Sequence, residues 1–462
     1  MTSTIKVNKI EKSDGSTLTL GGPSTAVTLA CGATQTGFGR TGTVDWCTTA
    51  KTSPFTAVNG VGYFVNTCGG TITVTLPSSP SAGNIISIKD YKSTFSVNNV
   101  TLCRNGSKLG GETLNATLST SGEASTLVYV DATQGWINVN TDDTVQGESY
   151  VAATGGTITT CGNFKIHSFT SSGCFQVTSG GNAAGSNTVD YLVVGGGGGS
   201  TGADGGGAGA GGYRESAGTA SGGYTVSPLG ACVAAAPVTA QTYPITVGAG
   251  GTGGSYPGTN AGTNGANSVF STITSAGGGK AGQSYPASSP LFPNNVGGAG
   301  GSGGGGAYGC SGPGSPSSTT NPNTQGGAGN TPPVSPPQGN PGGAGQTGYY
   351  GNHGGGGGAG SPGGTASGPS PSPGGAGGNG GNGLTSCITT SPVTRGGGGG
   401  GPAYTGATAG TAGPGGGGAG KNTNSTVGGA GTANTGGGAG GSKGAAGAAG
   451  GSGVVIIRYK FQ

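Results

Sequence analysis

Runs of consecutive glycine dominate the chain between Val194 and Gly453 and constrain its fold more than any other feature. Glycine supplies 116 of the 462 residues, and it loses more backbone entropy on ordering than any other residue. A folded region of this composition therefore needs interactions that only glycine permits. The most prominent runs occupy residues 195–199, 303–306, 354–358, 396–401 and 415–418.

Two strand-like segments enclose the glycine runs and indicate a folded domain rather than a flexible linker. Residues 189–194 precede the first run, and residues 454–460 follow the glycine-rich region. Extended helices with three residues per turn have no internal hydrogen bonds, but neighbouring helices can pair their N–H and C=O groups where no Cβ intervenes. We predict that residues 191–462 form a glycine-rich domain of packed polyglycine II-type helices framed by β-strands. A flexible glycine tail is the alternative.

Alanine interrupts the glycine in a recurrent tetrad, Gly-Gly-Ala-Gly, found near Gly297, Gly342, Gly374 and Gly428. The spacing between tetrads is irregular, so the region is not a solenoid of fixed repeat length. Glycine does not recur at every third position, which rules out collagen. In a packed bundle, alanine fits where its Cβ faces outward, and we expect this of the tetrads.

The residues before the glycine runs contain short strand-like segments, and we predict that the whole chain is all-β. We predict an N-terminal attachment and trimerisation segment at residues 1–48, a β-sandwich domain at 49–145 and a small connecting β domain at 146–190. Trp136 and Tyr129 are expected in the core. Strands are predicted at residues 62–65, 71–76, 85–88, 100–102, 126–130, 135–139, 157–160, 164–169, 173–177 and 243–247.

Charge and hydropathy argue against several classes of protein. Charged residues make up 6% of the chain, the formal net charge is +4, and no Lys/Arg cluster occurs, so no nucleic-acid partner is expected. No apolar stretch approaches the ~20 residues that span a bilayer, and the N-terminus lacks the apolar region of a signal peptide. We therefore predict no membrane insertion and synthesis in a cytoplasm.

The chain contains few residues of the types that bind metals or act in catalysis. The nine cysteines include no C-x-x-C pair and the only histidines are His167 and His353, so we predict no metal site and no cofactor. The cysteines are expected to be free thiols, with a disulfide between Cys161 and Cys174 as the alternative. Matches to G-x-G-x-x-G lack a following helix, and no nucleophile–histidine set stands out. We predict no catalytic residues and no enzyme.

Segments rich in Pro, Ser, Asn and Tyr interrupt the glycine runs and are expected to form loops at the ends of the bundle. Tyrosine offers a flat apolar face with a polar tip, which suits contact with sugar rings and outer-membrane loops. The alternative is that these aromatic residues only shield the ends of the bundle. The candidate receptor-binding residues are Tyr256, Tyr285, Phe292, Tyr308, Tyr349, Tyr350, His353 and Tyr404.

Motifs at residues 189–195, 211–215, 246–251 and 451–459 frame and punctuate the glycine region. These motifs resemble those of the glycine-rich domain of phage and environmental-virus tail-fibre proteins. The predicted bundle is also similar to the polyglycine-bundle receptor-binding adhesins of T-even-like phages. Residues 4–10 and 37–46 resemble N-terminal segments of cyanophage structural proteins.

The resemblance implies a viral tail fibre or spike, located in the virion and made in the host cytoplasm. It would attach by its N-terminus to tail or baseplate proteins, and bind a host surface glycan or outer-membrane protein through residues 191–462. A homotrimer is predicted because three copies would bury polar edge strands. The second hypothesis is a purely structural virion protein, such as a head fibre or decoration protein, or an extracellular filament subunit.

Overall fold

The all-β prediction is confirmed in the part of the chain that can be described. All assigned elements are β-strands, and no helix in these residues is long and apolar enough to span a bilayer. Contacts divide the chain into two compact units, residues 1–111 with 118–144 and residues 112–117 with 145–462. The predicted attachment segment, 1–48, lies almost wholly outside the described residues. The computed structural model describes residues 44–140, 149–182, 185–202, 204–230, 232–256, 261–284, 295–308, 324–346, 351–368 and 375–462.

The first nine strands form two sheets, of order β1-β3-β5-β8-β9 and β2-β4-β6-β7. Through β6, successive strands alternate between the sheets and pair in parallel within each sheet, whereas β8 and β9 pair antiparallel. Parallel neighbours need a crossover connection, and here the intervening strand of the other sheet supplies it. The strands are β1 (Asp45–Lys51), β2 (Phe55–Thr56), β3 (Val61–Val65), β4 (Ile72–Thr75), β5 (Ile85–Asp90), β6 (Val100–Cys103), β7 (Ala116–Leu118), β8 (Ala124–Asp131) and β9 (Gly135–Asn138).

Alternating apolar residues of both sheets supply the core of the first unit. Val74 in β4 and Ile86 in β5 are fully buried, as the period-two pattern of these strands requires. Trp136 is also fully buried, with its ring centroid 5.6 Å from that of Tyr129. The predicted core role of Trp136 is confirmed, and Tyr129 is half-buried beside it.

Strands of the second unit form two larger sheets and a hairpin. One sheet has the order β10-β13-β17-β18-β19; the other contains β11-β12-β22-β14-β15, with β16 also pairing with β14. Strand β22 lies between β12 and β14 and is antiparallel to both, so the two segments predicted to frame the glycine region are neighbours. The strands are β10 (Val151–Thr154), β11 (Thr157–Cys161), β12 (Phe164–Phe169), β13 (Gly173–Gly180), β14 (Thr188–Val194), β15 (Tyr213–Glu215), β16 (Ala236–Pro237), β17 (Thr242–Thr246), β18 (Ser268–Phe270), β19 (Ile273–Ser275), β20 (Leu384–Ser386), β21 (Val393–Arg395) and β22 (Val454–Lys460).

An aromatic core joins the two larger sheets. Phe175, Phe270 and Tyr459 are almost completely buried and belong to one apolar cluster. His167 lies against it, with Nδ1 2.7 Å from the Gly155 carbonyl oxygen and Nε2 3.0 Å from the Tyr459 hydroxyl. Burial lowers the pKa of His167. A neutral histidine with both ring nitrogens engaged has a structural role.

Residues 195–200, straight after β14, show how the glycine segments are held. Their N–H groups donate to three different segments, and residues three apart donate to the same one, with N···O distances of 2.9–3.0 Å. The donor–acceptor pairs are Gly195–Gly212, Gly198–Gly209, Gly196–Ala266, Gly199–Thr263, Gly197–Gly451 and Ser200–Ala448.

The carbonyl groups of residues 196–200 accept from three further segments. Together with the donors, this gives the segment six hydrogen-bonded neighbours. A β-strand has at most two such neighbours, one on each edge, so residues 195–200 are not part of a sheet. The donor–acceptor pairs are Gly251–Gly197, Gly254–Ser200, Gly278–Gly196, Ala281–Gly199 and Ala439–Gly198.

Close approach of neighbouring backbones requires glycine in these segments. A Cβ at any position from 195 to 199 would lie within 3.0 Å of the backbone of another segment. None of these five residues has φ in the left-handed region, so backbone conformation does not demand glycine there.

Alanine occupies two kinds of position among the glycine segments. In the tetrads, Ala299 and Ala430 are exposed and Ala344 and Ala376 are half-buried, which agrees with the expected outward Cβ. A second set is buried and forms a cluster of its own, which the sequence did not indicate. The members are Ala208, Ala281, Ala439 and Ala448.

The cysteines within the described ranges are free thiols. Cys161 ends β11, whereas the Cys174 backbone lies against Gly155, two residues before the opposite end of that strand. Four residues of extended strand span about 13 Å, well beyond the reach of a disulfide. The alternative Cys161–Cys174 bridge is therefore wrong. Cys31 and Cys310 lie outside the described residues.

Candidate functional site

Four pairs of residues, each flanking a segment outside the described part of the chain, contact one another. We call each pair a stem: residues 284 and 295, 308 and 324, 346 and 351, and 368 and 375. The first two stems meet where Ser284 Oγ and Asn295 Nδ2 both donate to the Tyr308 carbonyl oxygen, at 3.4 and 3.3 Å.

Hydrogen bonds join the other stems to this pair. The Gly345 N–H donates to the Thr324 carbonyl oxygen at 2.8 Å, which links the second and third stems. Asn352 Nδ2 donates to the Ser367 carbonyl oxygen at 3.1 Å, which links the third and fourth. Gln346 Nε2 also donates to the Gly368 carbonyl oxygen. All four stems therefore belong to one continuous hydrogen-bonded set.

We call this set the loop-stem end. Backbone and side-chain hydrogen bonds hold its stems together. Its residues are Asp204, Ser284, Asn295, Tyr308, Gln346, Asn352, His353, Gly368, Tyr404 and Lys443.

Two of the predicted aromatic residues meet at the loop-stem end. The rings of Tyr308 and His353 pack edge to face, with centroids 5.0 Å apart and an interplanar angle of 87°. Tyr404 joins them through the backbone, since its N–H donates to Asn352 Oδ1 at 2.9 Å. Three of the predicted residues, which come from distant segments, therefore lie near one another.

An ion pair lies beside these rings. Lys443 Nζ is 3.5 Å from Asp204 Oδ2 and 5.2 Å from the centroid of the Tyr404 ring. The Gly444 N–H donates to Asp204 Oδ1 at 3.1 Å. Sequence reasoning missed both charged residues as members of the site. For Asp204 a signal was available in the sequence, because it is the only aspartate after Asp190.

His353 is buried and neutral. Burial lowers its pKa to about 4, with Asp204 acting in the opposite direction and Lys443 in the same one. Its Nδ1 has no hydrogen-bond partner within the described part of the chain. The ring therefore packs against Tyr308 beneath the surface, and it cannot contact a ligand without movement of the stems.

The other predicted residues have different outcomes. Tyr256 is 52% exposed, and the carbonyl of the preceding Ser255 lies beside Gly202. No ring contact or hydrogen bond among the described residues joins the Tyr256 side chain to the loop-stem end. Four predicted residues lie outside the described part of the chain: Tyr285, Phe292, Tyr349 and Tyr350.

Two buried carboxylates elsewhere in the second unit accept hydrogen bonds from serine hydroxyl groups. Asp190 accepts hydrogen bonds from Ser216 Oγ at 2.8 Å and Ser221 Oγ at 2.5 Å. Glu215 accepts one from Ser386 Oγ at 2.5 Å. Both residues are at most 2% exposed; Asp190 joins the 216–221 segment to β14, and Glu215 joins β20 to β15.

The loop-stem end offers aromatic rings, amides and one ion pair on a rigid base, which are groups suited to binding by stacking and hydrogen bonding. In the described residues no group of three or more His, Cys, Asp or Glu side chains could hold a metal ion. A family model described as "Glycine-rich domain" matches residues 170–460. No curated protein matches the chain.

Proposed function

The chain belongs to the glycine-rich domain family, and we propose that it is a phage tail fibre or spike that recognises the host cell through the loop-stem end. The observation that carries this proposal is the convergence of four loop stems on one surface of the glycine segments. Loops held by a rigid scaffold are the usual place for recognition.

Polyglycine II packing is the proposed conformation of the glycine segments. Two features support it: donors recur at every third residue to the same neighbour, and one segment bonds to six others. A helix with three residues per turn presents its N–H groups in three directions, which accounts for both features. Such a lattice is stiff because each segment is held on all sides, and this would keep the loops in place.

Recognition is assigned to the segments between the stems and to the aromatic residues with accessible rings. Tyr404 is half-buried at the loop-stem end, and Tyr256 is exposed away from it. Tyr285, Phe292, Tyr349 and Tyr350 would act from the segments between the stems. His353 would have a supporting role, since it is buried against the ring of Tyr308. The proposed ligand is a host surface glycan or an outer-membrane protein.

The proposed assembly is a homotrimer in the virion, joined by its N-terminal residues to tail or baseplate proteins and synthesised in the host cytoplasm. The proposal assigns a binding role without enzymatic activity, cofactor, nucleic acid or membrane insertion. Analytical ultracentrifugation of the full chain tests the trimer directly.

Cell binding tests the recognition role. Fluorescently labelled full chain is titrated onto a panel of Gram-negative and cyanobacterial cells. We expect saturable binding to at least one strain, and we expect Tyr404→Ala to weaken it about tenfold or more, as for an aromatic residue central to an interface. Tyr91→Ala is the matched control, because Tyr91 is a half-exposed tyrosine of the first unit, and it should leave binding unchanged.

The same experiment distinguishes host recognition from the alternative, a purely structural role. A chain that is found in purified virions but binds no cell of the panel would be a purely structural virion protein or filament subunit. Equal loss of binding in both tyrosine variants would place recognition away from the loop-stem end.

A further inference from the structure

A cavity of about 240 Å³ opens on the strand frame of the second unit, between the β10–β11 turn and the β12–β13 turn. It is formed by strands and their turns and has no residue in common with the loop-stem end. Nothing in the proposed function uses it. The size is below the range for drug-sized ligands and suits a single small molecule.

The walls of the cavity are held in place by specific contacts. Gly155 and Gly156 form the β10–β11 turn with φ of +111° and +63°, values that favour glycine, and Gly156 lines the cavity. The Gly155 carbonyl is fixed by His167 Nδ1 at 2.7 Å. A Cβ at Gly155 would collide with the Cys174 backbone, so this turn and the β13 strand are in close contact. The cavity is therefore preformed.

The side chains that line the cavity are uncharged, and most of them carry hydroxyl groups. Ser172 Oγ accepts the Val247 N–H at 3.0 Å. The other hydroxyl-bearing side chains of the lining form no hydrogen bond within the described ranges, so their donors and acceptors are available. These side chains are Thr157, Ser168, Thr170 and Ser171. Phe169 adds an apolar ring at the base, where it is 3% exposed.

We propose that this cavity binds one neutral sugar residue. A sugar presents several hydroxyl groups that both donate and accept, which matches a wall of unpaired serine and threonine hydroxyls. None of the described lining residues carries a charge, which disfavours an ionic ligand. The proposal does not depend on the function proposed for the loops.

Cys174 provides a direct test, because it lines the cavity and its thiol is exposed and free. The full chain is alkylated with iodoacetamide alone or with glucose, galactose, mannose or N-acetylglucosamine, and each cysteine is followed by peptide mass spectrometry. A sugar at ten times its dissociation constant should slow alkylation of Cys174 about tenfold, because only the unoccupied site reacts. Cys161, also exposed and free but at the other end of β11, is the internal control and should react at an unchanged rate.

A double variant, Thr170→Ala with Ser171→Ala, removes two exposed hydroxyls of the cavity. It should abolish the protection of Cys174 while the thermal unfolding midpoint stays unchanged. Failure of all four sugars to protect Cys174 would overturn the proposal, as would equal slowing of Cys161 or persistence of protection in the double variant. The outcome of the cell-binding experiment does not affect this test, because the cavity shares no residue with the loop-stem end.

Discussion

Whether a residue in the glycine segments tolerates a side chain depends on where its Cβ would point. At Gly398 a Cβ would lie within 3.0 Å of the Gly356 backbone, whereas the Cβ of Ala430 already faces solvent. Composition alone does not distinguish these cases, because both residues stand in glycine-rich stretches. The direction of each Cβ decides whether it meets the backbone of a neighbouring segment or solvent.

Gly398→Val should destabilise the second unit by at least about 3 kcal/mol, because neighbouring segments must move apart and lose hydrogen bonds. Ala430→Val is the matched control and should change the free energy of unfolding by less than about 0.5 kcal/mol. Urea denaturation of both variants measures the effect. Equal stability would contradict the requirement for close backbone approach.

His353 should make the stability of the loop-stem end dependent on pH. Its pKa is about 4 in the folded protein against an ordinary value of 6.5, because burial disfavours the imidazolium ion. Between these two pH values the unfolded chain binds a proton that the folded chain does not. The free energy of unfolding therefore decreases as the pH falls from 6.5, and about 3 kcal/mol is lost below pH 4.

The measurement is urea denaturation of the parent chain and His353→Leu at several pH values between 7 and 4 (a range that spans the titration). The variant lacks the titrating group, so its stability should decrease less over this range. An identical pH dependence in the two proteins would show that His353 is not buried as a neutral ring.

At the scale of elements, β22 determines the integrity of the frame because it lies between β12 and β14. Ile457 in β22 is fully buried, so Ile457→Ala should cost about 2–5 kcal/mol of stability. Ile158 lies in the edge strand β11 and is 45% exposed, and Ile158→Ala should cost less than about 0.5 kcal/mol. Thermal and urea unfolding of the two variants compare the positions, and a similar cost at both would contradict this sheet order.

Sequence patterns found most of the longer strands but missed β1, which has seven residues, and the shortest strands. Segments such as β12 and β14 carry enough β-branched and aromatic residues to be recognised alone. Strands β15 and β18 have three residues each, and they are strands because a distant partner pairs with them. The parallel order of β1, β3 and β5 was not predicted for the same reason, since pairing direction depends on the path of the whole chain.

For the whole molecule, the hydrogen bonds of the glycine segments join residues far apart in sequence, such as Gly197 and Gly451. Amide hydrogen exchange of the full chain should therefore show protection in 195–200 and 396–401 similar to that in β22, slower than random coil by on the order of 10³-fold or more. Exchange at random-coil rates in these runs, with β22 still protected, would mean a flexible glycine tail beside a folded frame.

The sequence by itself determined that the described residues form β-strands, that strands frame the glycine runs, and that segments with aromatic residues interrupt those runs. These features follow from local composition and from periods of two residues, which act over short distances. Only the tertiary structure decided which segments are neighbours, that Tyr308, His353 and Tyr404 meet beside the Asp204–Lys443 pair, and that the Gly155–Gly156 turn forms a cavity with residues 168–174. A glycine carries no side chain to specify its partner, so the choice of neighbour depends on the combined packing of all segments.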